Sequence, residues 1–397
     1  MNTLQTKHRF ILTFATLLLS SCASPRIITV EVTTTPAPTT IPTRQPAPWP
    51  TEAWEHASPE SQGMDSNVLV EMLKTIENEG ADIDALVVVR NGFIVLDATV
   101  FPFSITPNAR HNVYSCTKSV LSILVSIAID EGYIEGVDQP VLTFFPEKSV
   151  DNMDARKEAM TLEHLLTMTT GLNCRDSYLY RWDGLYQMRS SPDWAQFMLD
   201  LPMMEDPGSY FEYCNGASFL LSAILQEVTG MSALEFAQEH LFMPLGITDV
   251  QWPSNPQGIS IGYSDLELRP EDMAKIGYLY LNDGVWDGEQ LVPSAWVQDS
   301  TRKFISATLQ EGYGYQWWVD VSGIYMALGY GGQYIIVVPE EDLVVVFVSD
   351  LAEADFYVPD QLLHGYILPS ILSSEALPED PRATTLLRLY RLALQER

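Results

Sequence analysis

Hydrophobic and polar positions follow two different periods along this chain, and the change of period divides it. VLVEMLKTIENEG, residues 68–80, sets its apolar residues on one face at helical spacing. DALVVVRNGFIVLDATVF, residues 84–101, then gives two strand-like runs joined at Asn91-Gly92, the dipeptide best suited to a tight hairpin. Near the other end, YMALGYGGQYIIVVPEEDLVVVFVSD, residues 325–350, gives two more strands about Pro339-Glu340-Glu341-Asp342. Between them the chain reads as largely helical. Strands at both ends of a helical middle predict an α/β fold: a discontinuous lobe with an antiparallel sheet flanked by helices, and an inserted, mainly helical lobe. A site would fall in the cleft between them. The leucine-rich run LLRLYRLAL, in the last residues from 373 to 397, is predicted to dock back as an amphipathic helix.

In the middle, SVLSILVSIAIDEG is apolar nearly all round, as in a helix buried through the centre of a domain. At its head stand Ser115, Cys116, Thr117 and Lys118, followed along the chain by Tyr213-Cys214-Asn215 and Tyr330-Gly331-Gly332-Gln333. A serine hydroxyl needs a base to take its proton as it attacks a carbonyl. On a helix, a lysine three positions on lies on the same face, within reach. It can serve only if burial lowers its pKa, because an ammonium cannot accept a proton. Tyr213 then supplies a second proton handler and Asn215 a hydrogen-bonding partner for the lysine and the substrate.

The chain carries decoys. Ser300-Thr301-Arg302-Lys303 also spells Ser-x-x-Lys, and Tyr280-Leu281-Asn282 also spells Tyr-x-Asn, but neither belongs to an ordered set of three signals. Gly258-Ile259-Ser260-Ile261-Gly262 spells the nucleophile elbow Gly-x-Ser-x-Gly, which needs a strand before it and a helix after it. Here both flanks read as loop, so a flexible loop is expected.

On its three motifs, and on LEHLLTMTTGL (162–172), SYFEYCNGASFLLSAILQEVTG (209–230) and LRPEDMAKIGYLYLNDGVWDGEQLV (268–292), the chain resembles the serine β-lactamase and penicillin-binding-protein superfamily. The resembling branch groups class C β-lactamases, D-Ala-D-Ala carboxypeptidases, family VIII esterases and 6-aminohexanoate-dimer hydrolases. The resemblance covers most of the chain after residue 56 and implies a β-lactamase/transpeptidase-like fold. It implies Ser115 as acylated nucleophile, Lys118 as its base, Tyr213 as general acid/base and Asn215 as a substrate and lysine ligand. Tyr330, Gly331, Gly332 and Gln333 become a site-lining strand, with the backbone N–H groups of Ser115 and Gln333 as oxyanion hole. One departure is informative. The family's third motif usually begins with a cation that holds a substrate carboxylate, where this chain has the neutral Tyr330. An ester or linear amide therefore fits better than a penicillin or a D-Ala-D-Ala terminus. The glycine pair suits a strand that admits a substrate backbone, or else a bulge or turn.

The N-terminus reads as an export signal. Lys7 and Arg9 precede the apolar FILTFATLLL, too short to span a bilayer, and Leu19-Ser20-Ser21-Cys22 resembles a lipobox whose cysteine is lipidated, with a plain signal peptide cleaved nearby as the alternative. Seven prolines between Pro25 and Pro50 then mark a semi-extended tether. The expected organisation is a signal peptide over 1–21, a lipidated Cys22 with a Pro/Thr-rich linker over 22–55, a hydrolase domain over 56–372 and a helical tail over 373–397. The expected location is the cell envelope, with the lipid as membrane anchor.

Composition narrows the partners. Loss of Lys7 and Arg9 with the signal leaves 20 basic against 52 acidic side chains, which argues against nucleic acid and anionic membrane surfaces and disfavours anionic substrates at low salt. The 46% hydrophobic content suits an enzyme with a large core. Beyond Cys22 remain Cys116, Cys174 and Cys214; a Cys116–Cys214 bridge is conceivable, but buried thiols are the simpler expectation. Neither cysteines nor the six histidines cluster in sequence, so no metal and no cofactor is expected. Tyr313 to Trp318 is expected to be core, while Tyr178, Tyr180 and Trp182 fall in a loop that anchors or shapes the site. The leading function is a serine hydrolase forming an acyl-enzyme on small ester or amide substrates. A β-lactamase or D-Ala-D-Ala carboxypeptidase, and a non-catalytic penicillin-binding-like protein, are the alternatives.

Overall fold

Long valine-rich runs without polar alternation call for a sheet covered on both faces. The computed structural model, which describes residues 47–396 apart from 104, 105, 107, 108 and 177–181, contains such a sheet. Its strands are β1 (Ile83–Arg90), β2 (Phe93–Thr99), β3 (Ile305–Ser306), β4 (Gly312–Tyr313), β5 (Trp318–Val319), β6 (Tyr325–Gly329), β7 (Gln333–Val338) and β8 (Leu343–Ser349). The order is β2-β1-β8-β7-β6-β5-β4-β3, and every neighbouring pair is antiparallel. The first strand therefore pairs with the last, from Ile83 opposite Ser349 to Arg90 opposite Leu343. The β1–β2 hairpin turns at Asn91 and Gly92, both at positive φ, as a tight two-residue turn requires.

Five helices matter for the site and its support: α1 (Ser66–Glu79), α2 (Cys116–Asp130), α3 (Asn215–Thr229), α4 (Pro270–Leu281) and α5 (Pro381–Gln395). Helix α4 covers β1, β7 and β8. It lies so close that a Cβ on Gly277 would stand 2.6 Å from Val344 Cγ1. Helix α5 packs on α1 and β2. Helices α2 and α3 pack on each other, and α2 also touches β6 and β7. Residues 116–128 of α2 are all buried, in keeping with their apolar composition.

Two sequence boundaries shift. The tether was expected to run to residue 55, but the chain is packed from Trp49 onward: Trp49 meets the rings of Tyr278 and Trp286, and Trp54 donates to the Glu271 carbonyl at 3.1 Å. Tryptophan area outweighs the tether-like composition around it. Residues 330–332, expected in a strand, instead form the turn between β6 and β7. Gly331 and Gly332 sit at φ +73 and +87, so the pair serves a left-handed turn rather than strand access. Cys22, Tyr178 and Tyr180 lie outside the described residues.

Candidate active site

The first turn of α2 is entered through a strained step. Tyr114 is held at φ +45, with its N–H donated to Asn112 Oδ1 at 2.7 Å. Ser115 follows as the N-cap, half-buried, and Lys118 lies one turn on, 1% exposed. The Lys118 Nζ stands 2.9 Å from Ser115 Oγ, 2.8 Å from Asn215 Oδ1 and 2.7 Å from the Tyr263 carbonyl. Two of these partners can only accept, so a neutral amine would donate to them and keep its lone pair for the serine proton. Burial drives the Lys118 pKa down to about 7, while Asp176, Cys116 and Asp265 oppose the shift.

Tyr213 brings its ring centroid to 4.8 Å from Lys118 Nζ and stacks on Trp318 at 5.9 Å. Burial pushes its phenol up, and its hydrogen bond with Ser115 opposes that. Thus Ser115, Lys118, Tyr213 and Asn215, from α2 and the start of α3, meet at one place. Tyr330 is 61% exposed on the β6–β7 turn and meets Tyr114 edge-on at 5.6 Å, beside the serine. Gln333 turns its side chain away: its Nε2 donates to the Ser349 and Tyr330 carbonyls and braces the turn. Its own carbonyl accepts from Cys116 Sγ at 3.5 Å, which sets the Gln333 backbone against the first turn of α2.

The decoys resolve structurally. Ser300 is buried and bonds to the Val297 carbonyl, while Lys303 pairs with Glu311 at 2.7 Å. Tyr280 packs on Trp317 in the core. Ser260 of the elbow-like sequence sits in an isolated bridge with Ser254, where its carbonyl accepts from Ser222 and its hydroxyl accepts from the Leu234 N–H. The loop that follows it supplies the Tyr263 carbonyl to Lys118. Tyr313, Tyr315, Trp317 and Trp318 are buried, as expected of core, and Trp318 doubles as the support of Tyr213. Trp182 caps a helix over Asp183–Ser190.

The cysteines depart from expectation. Cys174 and Cys214 form a disulfide with their Cα atoms 5.9 Å apart, and only Cys116 remains a thiol among the described residues. The bridge fastens the 173–176 segment to the Tyr213-Cys214-Asn215 motif. Asp176, Cys174 and Cys214 lie together, yet both sulfurs are spent on each other, leaving no thiolate to hold a metal. Asp176 and the Tyr263 carbonyl were not foreseen. Neither carries a local pattern, and only the cysteine two residues before Asp176 marked its segment.

A profile of the Beta-lactamase family matches residues 78–363. The chain is 24% identical over 296 residues to the 6-aminohexanoate-dimer hydrolase of Paenarthrobacter ureafaciens, covering 68% of this chain and 74% of that protein. Among solved structures, EstCE1, a hydrolase with promiscuous acyltransferase activity, aligns at a TM-score of 0.62 with 14% identity, over 76% of this chain and 99% of that one. A family VIII carboxylesterase aligns at 0.58 with 13% identity, over 85% and 98%. The structural likeness concerns the fold, an antiparallel sheet flanked by helices of the β-lactamase/transpeptidase kind.

Proposed function

Because this chain belongs to the Beta-lactamase family, with hydrolases and esterases among its relatives, we propose that it is a serine hydrolase cleaving ester or amide bonds of small substrates. The carrying observation is the buried Lys118 amine, set against Ser115 Oγ with two carbonyl-type acceptors and a pKa of about 7. In the proposed reaction Lys118 takes the Ser115 proton as Oγ bonds to the substrate carbonyl carbon. The backbone N–H groups of Ser115 and Gln333 hold the oxyanion. Collapse breaks the bond to the leaving alcohol or amine. That group receives its proton from the Tyr213 phenol, which is restored from Lys118. Water then attacks the acyl-enzyme, its proton passes through the same pair back to Ser115, and the acid is released.

The neutral, exposed Tyr330 supports neutral esters and linear amides over carboxylate-bearing substrates. For location, the Leu19-Ser20-Ser21-Cys22 spelling supports export and a lipid anchor at Cys22. Incorporation of an alkyne fatty acid that disappears in Cys22→Ala would bear this out, and labelling retained in that variant would remove it.

Intact mass after brief exposure to a fluorophosphonate, an activated short-chain ester and a penicillin tests the chemistry, with Ser115→Ala in parallel. Ser115-dependent adducts from the first two and none from penicillin are expected. A penicillin adduct would favour the β-lactamase and carboxypeptidase reading, and no adduct would favour a binding protein.

A further inference from the structure

A helix start normally finds its acceptor in its own N-cap side chain. Helix α3 does not, because its N-cap is Cys214, whose sulfur is committed to the disulfide and makes no cap bond. The acceptor comes instead from 39 residues upstream: Asp176 Oδ2 accepts the Asn215 N–H at 2.8 Å. Asp176 is 1% exposed, and the Leu185 N–H also faces its carboxylate. Burying a carboxylate is costly. What the carboxylate gains is proximity to a helix N-terminus and to the Lys118 amine.

We infer that Asp176 is a positioning residue for the Ser115–Lys118 pair, acting through Asn215. Clamped by the Cys174–Cys214 disulfide, it fixes the start of α3 so that the Asn215 amide oxygen meets Lys118. The inference rests on the reading of Lys118 as the base of Ser115. The chain of contact is continuous: Asp176 Oδ2 to Asn215 N–H, then Asn215 Oδ1 to Lys118 Nζ at 2.8 Å, then Nζ to Ser115 Oγ at 2.9 Å. The disulfide adds a covalent tie between the residue two before Asp176 and the residue just before Asn215.

The same carboxylate acts on charge. An anion near Lys118 favours the ammonium, and Asp176 is the foremost group resisting the burial-driven drop of the lysine. Also facing Lys118 are Cys116 on α2, Asp265 beyond Tyr263, and the phenols of Tyr213 and Tyr263. Facing Asp176 are Lys118, the Asn215 and Leu185 N–H groups, and Glu212, whose carboxyl is itself raised by burial and by Asp176. Burial holds Asp176 up at about 6, so near neutral pH it is ionised and opposes the loss of the lysine proton.

The test uses the full-length protein carrying ε-13C-lysine, with Lys118→Arg to assign the resonance, in wild type, Asp176→Asn and Asp176→Glu. Asp176→Asn should lower the Lys118 pKa by about one unit. The acid limb of kcat/KM for an activated ester should move with it, while kcat falls roughly tenfold from the loosened geometry. A role in structure alone would lower kcat and leave the limb in place. Asp176→Glu keeps the charge but displaces the oxygen, so the lysine should titrate near its wild-type value while kcat drops. An unmoved Lys118 pKa in Asp176→Asn, or an unchanged kcat in Asp176→Glu, would overturn the inference. The resonance needs no turnover. Absence of Ser115-dependent hydrolysis in wild type would therefore sink the proposed function while the titration still judges Asp176.

Discussion

Lys118 is held by oxygen atoms on three sides and shut from water, and in the proposed reaction its protonation sets what Ser115 can do. With its pKa near 7, the neutral fraction falls tenfold for each pH unit below that value. The rate of acylation should therefore rise with pH and level off above about 7, with the inflection at the lysine pKa. A stopped-flow profile with an activated ester reads this directly, and a flat profile between pH 5 and 8 would exclude Lys118 as the base. Lys118→Arg sharpens the same point. Arginine keeps charge and length but cannot give up its proton, so acylation should be lost by roughly 100-fold or more, as fully as in Lys118→Ala. Ser300→Ala, whose serine lies in the core away from any lysine partner, should leave kcat/KM unchanged. At Tyr330, exposed and beside Tyr114, a lysine would restore a cation. Tyr330→Lys should raise kcat/KM for a carboxylate-bearing ester by roughly tenfold over its neutral counterpart at low salt, and less so as salt screens the pair.

Two helices that carry the site are tied together from beneath by one strained residue. Gln316 adopts φ +63 and is buried, with its Nε2 donating to the Leu165 and Leu166 carbonyls. Its Oε1 accepts from Ser218 on α3 and its carbonyl from Ser119 on α2, both at 2.7 Å. Left-handed strain persists where the surroundings over-determine it. Gln316→Ala removes the amide bonds to Ser218 and to the Leu165 and Leu166 carbonyls, while Ser119 keeps the backbone carbonyl, and should cost about 3 kcal/mol in urea unfolding. Gln316→Gly, free of the φ penalty, should recover about 1 kcal/mol of that loss. Equal stability of the two variants would mean that the backbone stores no strain there. None of this was legible in the sequence, in contrast to the Ser115–Lys118 turn, the Asn91-Gly92 hairpin and the buried α2. Those three are local: the first follows from one helical turn, the second from two adjacent residues, the third from unbroken apolar character. Gln316, Asp176 and the Cys174–Cys214 pairing depend on segments dozens of residues apart, and no local periodicity records such contacts. The Gly331-Gly332 pair was ambiguous for a different reason, since glycine serves close approach and positive φ alike.

At the scale of the molecule, the first and last strands of the sheet in chain order pair inside it rather than at its edges. β1 lies between β2 and β8, so the outer hairpin reaches the rest of the sheet only through the β1–β8 pairing. Helix α5 then braces that hairpin from outside the site. Leu387 and Leu394 are buried, the Leu394 carbonyl accepts from the Phe101 N–H at 2.8 Å, and Arg391 pairs with Asp97 on β2. The catalytic candidates lie elsewhere, on α2, the start of α3 and the β6–β7 turn, and α5 packs on α1 and β2 rather than on any of these. Stability and chemistry should thus separate. Leu387→Ala and Leu394→Ala should each lower the free energy of unfolding by about 2–4 kcal/mol, as buried leucines do. Well below the melting transition, kcat/KM for an activated ester should stay within about twofold of wild type, because the helix that carries both leucines packs mainly on α1 and β2. Denaturant unfolding and ester kinetics on the same samples decide it. A parallel fall in kcat/KM with the population still folded would mean that strain in the β1–β2 hairpin reaches the active site through β8 and the turn that holds Tyr330.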